Sequence, residues 1–138
     1  MDDGTLSHYD LAWLAHDNEG RVAVFTTGGP GPIPASALAS LDTAESAVRS
    51  LSESCDSELL DPSAIAFLAF AKRGFFAYDW TDVHRTQAAS IDAYELVARP
   101  SRPAQLQDLP LPVRSIAMST NVRSVTFGVF RVPRGAIA

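Results

Sequence analysis

A seven-residue run at positions 28–34, Gly-Gly-Pro-Gly-Pro-Ile-Pro, constrains the fold of this chain more than any other feature. Three glycines and three prolines in seven residues exclude a helix or a strand, because proline lacks a main-chain donor and glycine favours turns. The prolines also make the run a poor cradle for phosphate, which needs main-chain N–H groups. We interpret the run as a rigid connector, with a pre-ordered recognition loop as the alternative.

The segment before this run predicts a β-hairpin. Residues 11–15 and 21–27 are largely apolar, and the residues between them are turn formers that end in Gly20. Because both faces of these strands are apolar, we expect a sheet that helices cover on one side and that is partly covered on the other.

The segment after the run predicts two helices. Apolar residues recur there at spacings of three and four, which is typical of a helix with one apolar stripe: Leu38, Leu41, Ala44, Val48 and Leu51. Thr43 is expected to cap a restart of this helix. A second helix is predicted to begin at Asp61 and Pro62 and to end at Gly74. It is apolar nearly all round, so we expect it to be buried.

The second half of the chain alternates between predicted strands and one short helix. We expect strands over residues 75–80 and 93–98, and a helix over 111–118 with Val113, Ile116 and Ala117 inside. A last strand is predicted over residues 122–132, with Val125, Phe127 and Val129 on one face.

Taken together, the elements predict an α+β fold, with an antiparallel or mixed sheet and helices packed on one face. We expect a single domain over residues 1–138, in which residues 1–9 and 133–138 are flexible tails.

Composition indicates a cytoplasmic protein. The chain has one cysteine, Cys55, which cannot form an internal disulfide, and its first residues lack the basic and apolar regions of a signal peptide. The longest apolar run has eight residues, at positions 64–71, whereas a membrane span needs about 20.

The charge is distributed unevenly along the chain. Residues 1–62 hold eleven acidic and two basic residues, a formal charge of −9, whereas residues 63–138 hold five acidic and nine basic residues, a charge of +4. An acidic half repels phosphate, so nucleic acid is not an expected partner. The acids either steer a basic protein partner towards this chain or serve only as a solvated surface.

We find no spacing that indicates a catalytic site, a metal site or a cofactor. Structural zinc needs four Cys or His ligands, usually in close pairs, and this chain has one cysteine and three scattered histidines. Cys55 lies among carboxylates, which disfavour a reactive thiolate.

One cluster, residues 78–84, has three interpretations. Asp79, Asp82 and His84 are candidates for acid–base pairing. A strand end with a turn explains the same residues without function. A recognition patch is the third interpretation, because Trp80 beside two carboxylates would suit a basic partner with an apolar pocket.

Parts of the chain resemble a group of small bacterial proteins. The resemblance lies in residues 10–34, which read DLAWLAHDNEGRVAVFTTGGPGPIP, and in residues 94–100, which read YELVARP, followed by Leu109 and Pro110. Some members of this group are immunity proteins of polymorphic or contact-dependent toxin systems. The shared motifs are structural rather than catalytic, so the resemblance implies a fold and a binding role rather than an activity.

The resemblance leads to the expectation of a non-catalytic immunity protein that binds and neutralises a cognate toxin, possibly a basic nuclease-like effector. The alternatives are a small-molecule-binding or structural domain, and an enzyme of unrecognised type that uses Asp79, Asp82 and His84. The predicted partner-binding residues are Asp17, Glu19, Asp42, Glu45, Glu53, Asp56, Glu58, Asp79, Trp80 and Asp82.

Overall fold

Within residues 10–80 and 92–137, which the computed structural model describes, six strands form one mixed sheet. The strands are β1 (Ala12–His16), β2 (Val22–Thr26), β3 (Ser57–Leu59), β4 (Phe76–Trp80), β5 (Ala93–Pro100) and β6 (Arg131–Pro133). The helices are α1 (Ala44–Arg49), α2 (Leu68–Ala71) and α3 (Leu111–Met118), with 3-10 segments at Ala35–Ser40, Pro62–Phe67, Leu106–Asp108 and Arg134–Ala136. The predicted α+β class is confirmed.

The strands run in the order β1-β2-β4-β5-β3, and β6 also pairs with β5. The predicted hairpin is confirmed, since β1 and β2 pair antiparallel. β2 and β4 pair parallel, and the chain between them crosses over through α1 and α2, as a parallel connection requires. β3 and β6 lie along different parts of β5, at residues 98–100 and at residues 93–95.

Helices cover one face of the sheet, as expected. Alternate strand residues, such as Leu14 and Val24, pack there against Val48 of α1, Phe70 of α2 and Val113 of α3. Because burial of each such side chain stabilises the fold by about 1.5–3 kcal/mol, this layer is a main source of stability.

The opposite face of the sheet is aromatic. Trp13 stacks on Phe25 with ring centroids 4.2 Å apart, and Phe25 stacks on Tyr78 at 5.0 Å. The Trp13 indole donates to the Tyr94 hydroxyl, and that hydroxyl donates to the carbonyl of Pro32. Residues 122–137 and the segment around Ala37 cover these rings, so both faces of the sheet are buried.

The glycine- and proline-rich run packs tightly on this aromatic face. Gly28 and Gly29 have φ values of 56° and 101°, which only glycine adopts easily. A side chain at Gly31 would place its Cβ 2.7 Å from the Tyr94 hydroxyl oxygen. These contacts support the interpretation of the run as a rigid connector.

The helix predicted from Asp61 begins and ends as expected but is not buried all round. Asp61 accepts a hydrogen bond from the Ser63 N–H, and Gly74 follows the helix with a φ of 92°. Between them the chain breaks at Ala64, whose φ and ψ are −104° and 33°. The break turns Ile65 outwards, where it is 69% exposed, so the prediction of full burial is wrong.

The predicted helical stripe over residues 38–51 is also split into two pieces. A 3-10 segment ends at Ser40, and α1 begins after Thr43. The predicted restart is confirmed, but Thr43 makes no capping bond, because its hydroxyl donates to the Ser40 carbonyl instead.

The predicted last strand over residues 122–132 is wrong, since only β6 is a strand there. Gly128 has a φ of 113° and turns the chain, so Phe127 is buried while Val129 is exposed. Beyond β6, in the segment that we expect to be a flexible tail, Ala136 and Ile137 pack against the aromatic face. Residues 1–9 lie outside the described residues.

Candidate functional site

The structure brings polar side chains from four strands into one row across the sheet. Thr26 of β2 pairs with Asp79 of β4, Asp79 with Glu95 of β5, and Glu95 with Arg131 of β6. Cross-strand partners share a face of the sheet, so we call these four residues the polar row. The Thr26 hydroxyl donates to Asp79 at 2.7 Å, and the Arg131 guanidinium donates to Glu95 at 3.0 Å.

Glu95 is the least expected member of the row, because it is only 1% exposed. A buried carboxylate is costly unless it is bonded to a cation or to donors, and Arg131 supplies a cation to it. Glu95 also faces a second carboxylate, that of Asp79, across the β4–β5 pair. Adjacent carboxylates are one arrangement that general acid–base catalysis uses.

The sequence pointed to Asp79 but missed Glu95. The signal for Glu95 is that it is the one charged residue within the apolar run 93–98 of β5, since a charge inside a buried strand needs a partner or a function. Asp82 and His84, which the sequence grouped with Asp79, lie outside the described residues.

Two predicted contact residues are buried, so they cannot contact a partner in this conformation. Trp80 is 1% exposed and packs edge-on against Tyr94, with the Arg134 guanidinium over its ring. Asp17 is 2% exposed. A contact through Trp80 or Asp17 would therefore require a change of conformation, and their role in binding stays a prediction.

The Asp17 carboxylate instead joins the hairpin turn to the C-terminal segment. One oxygen accepts from the N–H groups of Glu19 and Arg21, both at 2.9 Å, and the other accepts from the Phe127 N–H at 2.8 Å. The Arg21 guanidinium donates to the Phe127 carbonyl. Asp17 therefore has a structural role in this fold.

Burial also changes the two tyrosines of the aromatic face. Desolvation raises the pKa of Tyr78 and of Tyr94 well above the usual value of a tyrosine. The Tyr78 hydroxyl donates to the Val129 carbonyl and accepts from the Gly128 N–H. Both hydroxyls are thus neutral, bonded parts of the core.

The exposed acids among the predicted contact residues form two groups. Glu45 pairs with Arg49 and Glu58 pairs with Arg99, and ion pairs of this exposed kind contribute little stability. Four other predicted contact residues are exposed and form no ion pair with any described residue: Glu19, Asp42, Glu53 and Asp56.

The acidic and basic halves of the sequence are not separate halves of the molecule. The Glu58–Arg99 ion pair joins them, and the Arg102 guanidinium donates to the Ser54 carbonyl. The charge of −9 over residues 1–62 is therefore partly neutralised by arginines from residues 63–138. The remaining negative charge lies on local groups of acids.

One exposed region combines acids with an apolar side chain and an edge strand. We call Glu53, Asp56, Glu58 and Ile65, together with the open edge of β3, the β3 surface. The main chain holds this region in place, because the N–H of Ser54 donates to the Lys72 carbonyl and the N–H of Ser101 donates to the Asp56 carbonyl.

The described ranges contain no group of three or more His, Cys, Asp or Glu residues arranged to hold a metal ion. The Cys55 thiol is partly buried, and the carbonyls of Ala71, Lys72 and Arg102 are alternative acceptors for its one hydrogen. No helix between residues 10 and 137, outside the gap at 81–91, is long and apolar enough to span a bilayer.

The chain was compared with known protein families, with curated proteins and with solved structures, and none of the three comparisons found a match.

Proposed function

We propose that this protein is a non-catalytic immunity protein that binds a cognate toxin in the cytoplasm and neutralises it. The observation that supports the proposal is the set of four exposed acids, Glu19, Asp42, Glu53 and Asp56, whose carboxylates have no cationic partner among the described residues. The resemblance of residues 10–34 to the opening of a group of small bacterial proteins, some of which are immunity proteins, agrees with it.

The physical basis of the proposal is electrostatic complementarity. A nuclease-like toxin carries a basic surface for its phosphate substrate, and exposed acids attract that surface over a distance of about 10 Å at ordinary salt. Carboxylates that are already paired with arginines contribute less to this field. Within the predicted contact set of ten residues, the four acids without a described cationic partner are therefore proposed to attract the toxin most strongly.

Co-expression with the product of the adjacent upstream gene tests this proposal. If that product stops growth when expressed alone, we expect this protein to restore growth and to co-purify with it. A harmless neighbour, or a toxic neighbour that this protein neither binds nor neutralises, would contradict the proposal.

A matched pair of variants links the result to the acids. The four-acid variant carries Glu19→Gln, Asp42→Asn, Glu53→Gln and Asp56→Asn, all at exposed positions where substitutions change stability by only about 0.5 kcal/mol. We expect weaker rescue of growth from it. The control is Asp108→Asn, which neutralises an exposed acid outside the contact set and should rescue fully.

An acid–base enzyme is the second candidate, and the observation that favours it is the opposition of Asp79 and Glu95 in the polar row. Asp79→Asn and His84→Ala remove the acid–base groups that this mechanism would use. If the enzyme hypothesis is correct, both variants lose the biological effect while remaining folded. Full rescue of growth by both variants would exclude it.

A further inference from the structure

We infer that the partner docks on the β3 surface by adding an extended, basic strand to the open edge of β3. The inference rests on the proposed function, since it names the contact through which the toxin is held. It begins from the main-chain geometry of β3, which is independent of the acids.

The hydrogen bonds of β3 show which of its main-chain groups are already used. The Asp56 carbonyl accepts from Ser101, the Leu60 N–H donates to Val97, and Glu58 lies opposite Arg99 between them. Alternate residues of an antiparallel strand face its neighbour, so the N–H and C=O groups of Ser57 and Leu59 point away from β5. Over residues 10–80 and 92–137, β5 is the sole strand that pairs with β3.

The other strand edges are less suited to receive a partner. At β1, the outward-facing residues Ala12 and Leu14 are only 7% and 1% exposed, and the main chain of His16 already bonds to residues 120 and 122. At β6, the outward edge carries Pro133, which has no N–H to donate. Among the described strands, β3 therefore has the edge most open to a further strand.

The flanks of β3 indicate the chemistry of the added strand. Glu53, Asp56 and Glu58 are exposed beside it. Arg99 pairs with Glu58, and the Arg102 guanidinium, which donates to the Ser54 carbonyl, forms no ion pair with either of the other two acids. Ile65, which is 69% exposed, lies on the 3-10 segment that packs against β3. These features fit a strand that carries basic side chains and one apolar side chain.

The short length of β3 limits the contact. Three residues offer outward main-chain groups at two positions only, so strand addition supplies about two pairs of hydrogen bonds. Short edge strands are also a means of avoiding unwanted pairing. The acids and Ile65 must therefore supply much of the affinity, so their side chains belong to the inferred site.

Amide hydrogen exchange on the complex with the co-expressed toxin tests the inference directly. The outward amides of Ser57 and Leu59 should exchange at least about tenfold more slowly in the complex than in the free protein. The Glu58 amide, which faces β5, is the internal control. Unchanged exchange at Ser57 and Leu59 in a stable complex would overturn strand addition while leaving the immunity function intact. Failure to form any complex would refute both.

Substitution at Ser57 provides an independent test. Ser57→Pro removes one outward N–H without removing a bond to β5. We expect this change to raise the Kd for the toxin roughly tenfold, mainly through faster dissociation of the complex. Ser57→Ala keeps the N–H and should bind like the wild type. Equal affinity of the folded proline variant and the wild type would contradict the inference. If the proline variant does not fold, the exchange experiment decides alone.

Discussion

Asp17→Asn should destabilise the protein although it changes a single atom of the side chain. In the wild type, one carboxylate oxygen accepts two N–H groups of the hairpin turn and the other accepts the buried N–H of Phe127. Asparagine can keep an oxygen for only one of these positions. Its NH₂ group then faces another donor, either at the turn or at Phe127.

The expected loss follows from the bonds involved. A hydrogen bond to a charged group contributes about 1.5–3 kcal/mol, and leaving a buried donor unsatisfied costs about 1–3 kcal/mol. Because these contributions overlap, we expect a loss of about 3 kcal/mol from a total stability of about 5–15 kcal/mol.

Urea unfolding measures this loss. With a slope of about 2 kcal/mol per molar urea, the midpoint should fall by roughly 1.5 M. Asp56→Asn is the matched control, because Asp56 is exposed, and its midpoint should stay within about 0.3 M of the wild type. A loss below about 1 kcal/mol for Asp17→Asn would refute the view that this carboxylate holds the hairpin turn and the C-terminal segment together.

Three further predictions follow from charge, packing and titration. Because burial in the folded state raises the pKa of Tyr78 and Tyr94, the contribution of each tyrosine to stability is complete below about pH 10 and declines above it by about 1.4 kcal/mol per pH unit. Urea unfolding from about pH 9 to 11.5 should show this decline for both tyrosines in the wild type and for Tyr94 alone in Tyr78→Phe, so the slope of the variant should be half that of the wild type. Equal slopes in the two proteins would contradict the prediction. Gly31→Ala should cost about 1–3 kcal/mol, because its Cβ would meet the Tyr94 hydroxyl and Trp80 at 2.7 and 2.9 Å, whereas Gly135→Ala has nothing within 4 Å and should be neutral. The four-acid variant should associate with the toxin about tenfold more slowly at low salt, with the difference vanishing near 1 M salt; stopped-flow mixing measures this, and equal rates at low salt would rule out steering.

Much of the fold could be predicted because its signals are local. The hairpin around Gly20, the helix start at Asp61, the stop at Gly74 and α3 each depend on residues within a few positions of one another. Such signals act in any tertiary context, so the sequence is enough to find them.

The C-terminal segment could not be predicted, because distant residues determine its path. Its residues 125–132 have the apolar alternation of a strand, but their main-chain groups bond to side chains far away in the sequence. The Phe127 N–H bonds to Asp17, 110 residues earlier, and the Val129 carbonyl bonds to the Tyr78 hydroxyl, 51 residues earlier. These bonds replace a continuous strand ladder.

The candidate site was only half predictable for the same reason. The sequence shows Asp79 at the end of an apolar strand, which is visible locally. Glu95 becomes its neighbour only through the register of the β4–β5 pair, and no local pattern sets that register. The burial of Trp80, which sequence favoured as a contact residue, likewise depends on Tyr94 and Arg134 from later in the chain.

The most direct test of the central claim is a titration of the purified toxin with this protein, with the toxin's own activity as the readout. An immunity protein that acts by binding abolishes that activity linearly, and the end point lies at a fixed stoichiometric ratio. Complete inhibition by a small substoichiometric amount would show turnover and favour the enzyme. No inhibition at a large excess would contradict the immunity function itself.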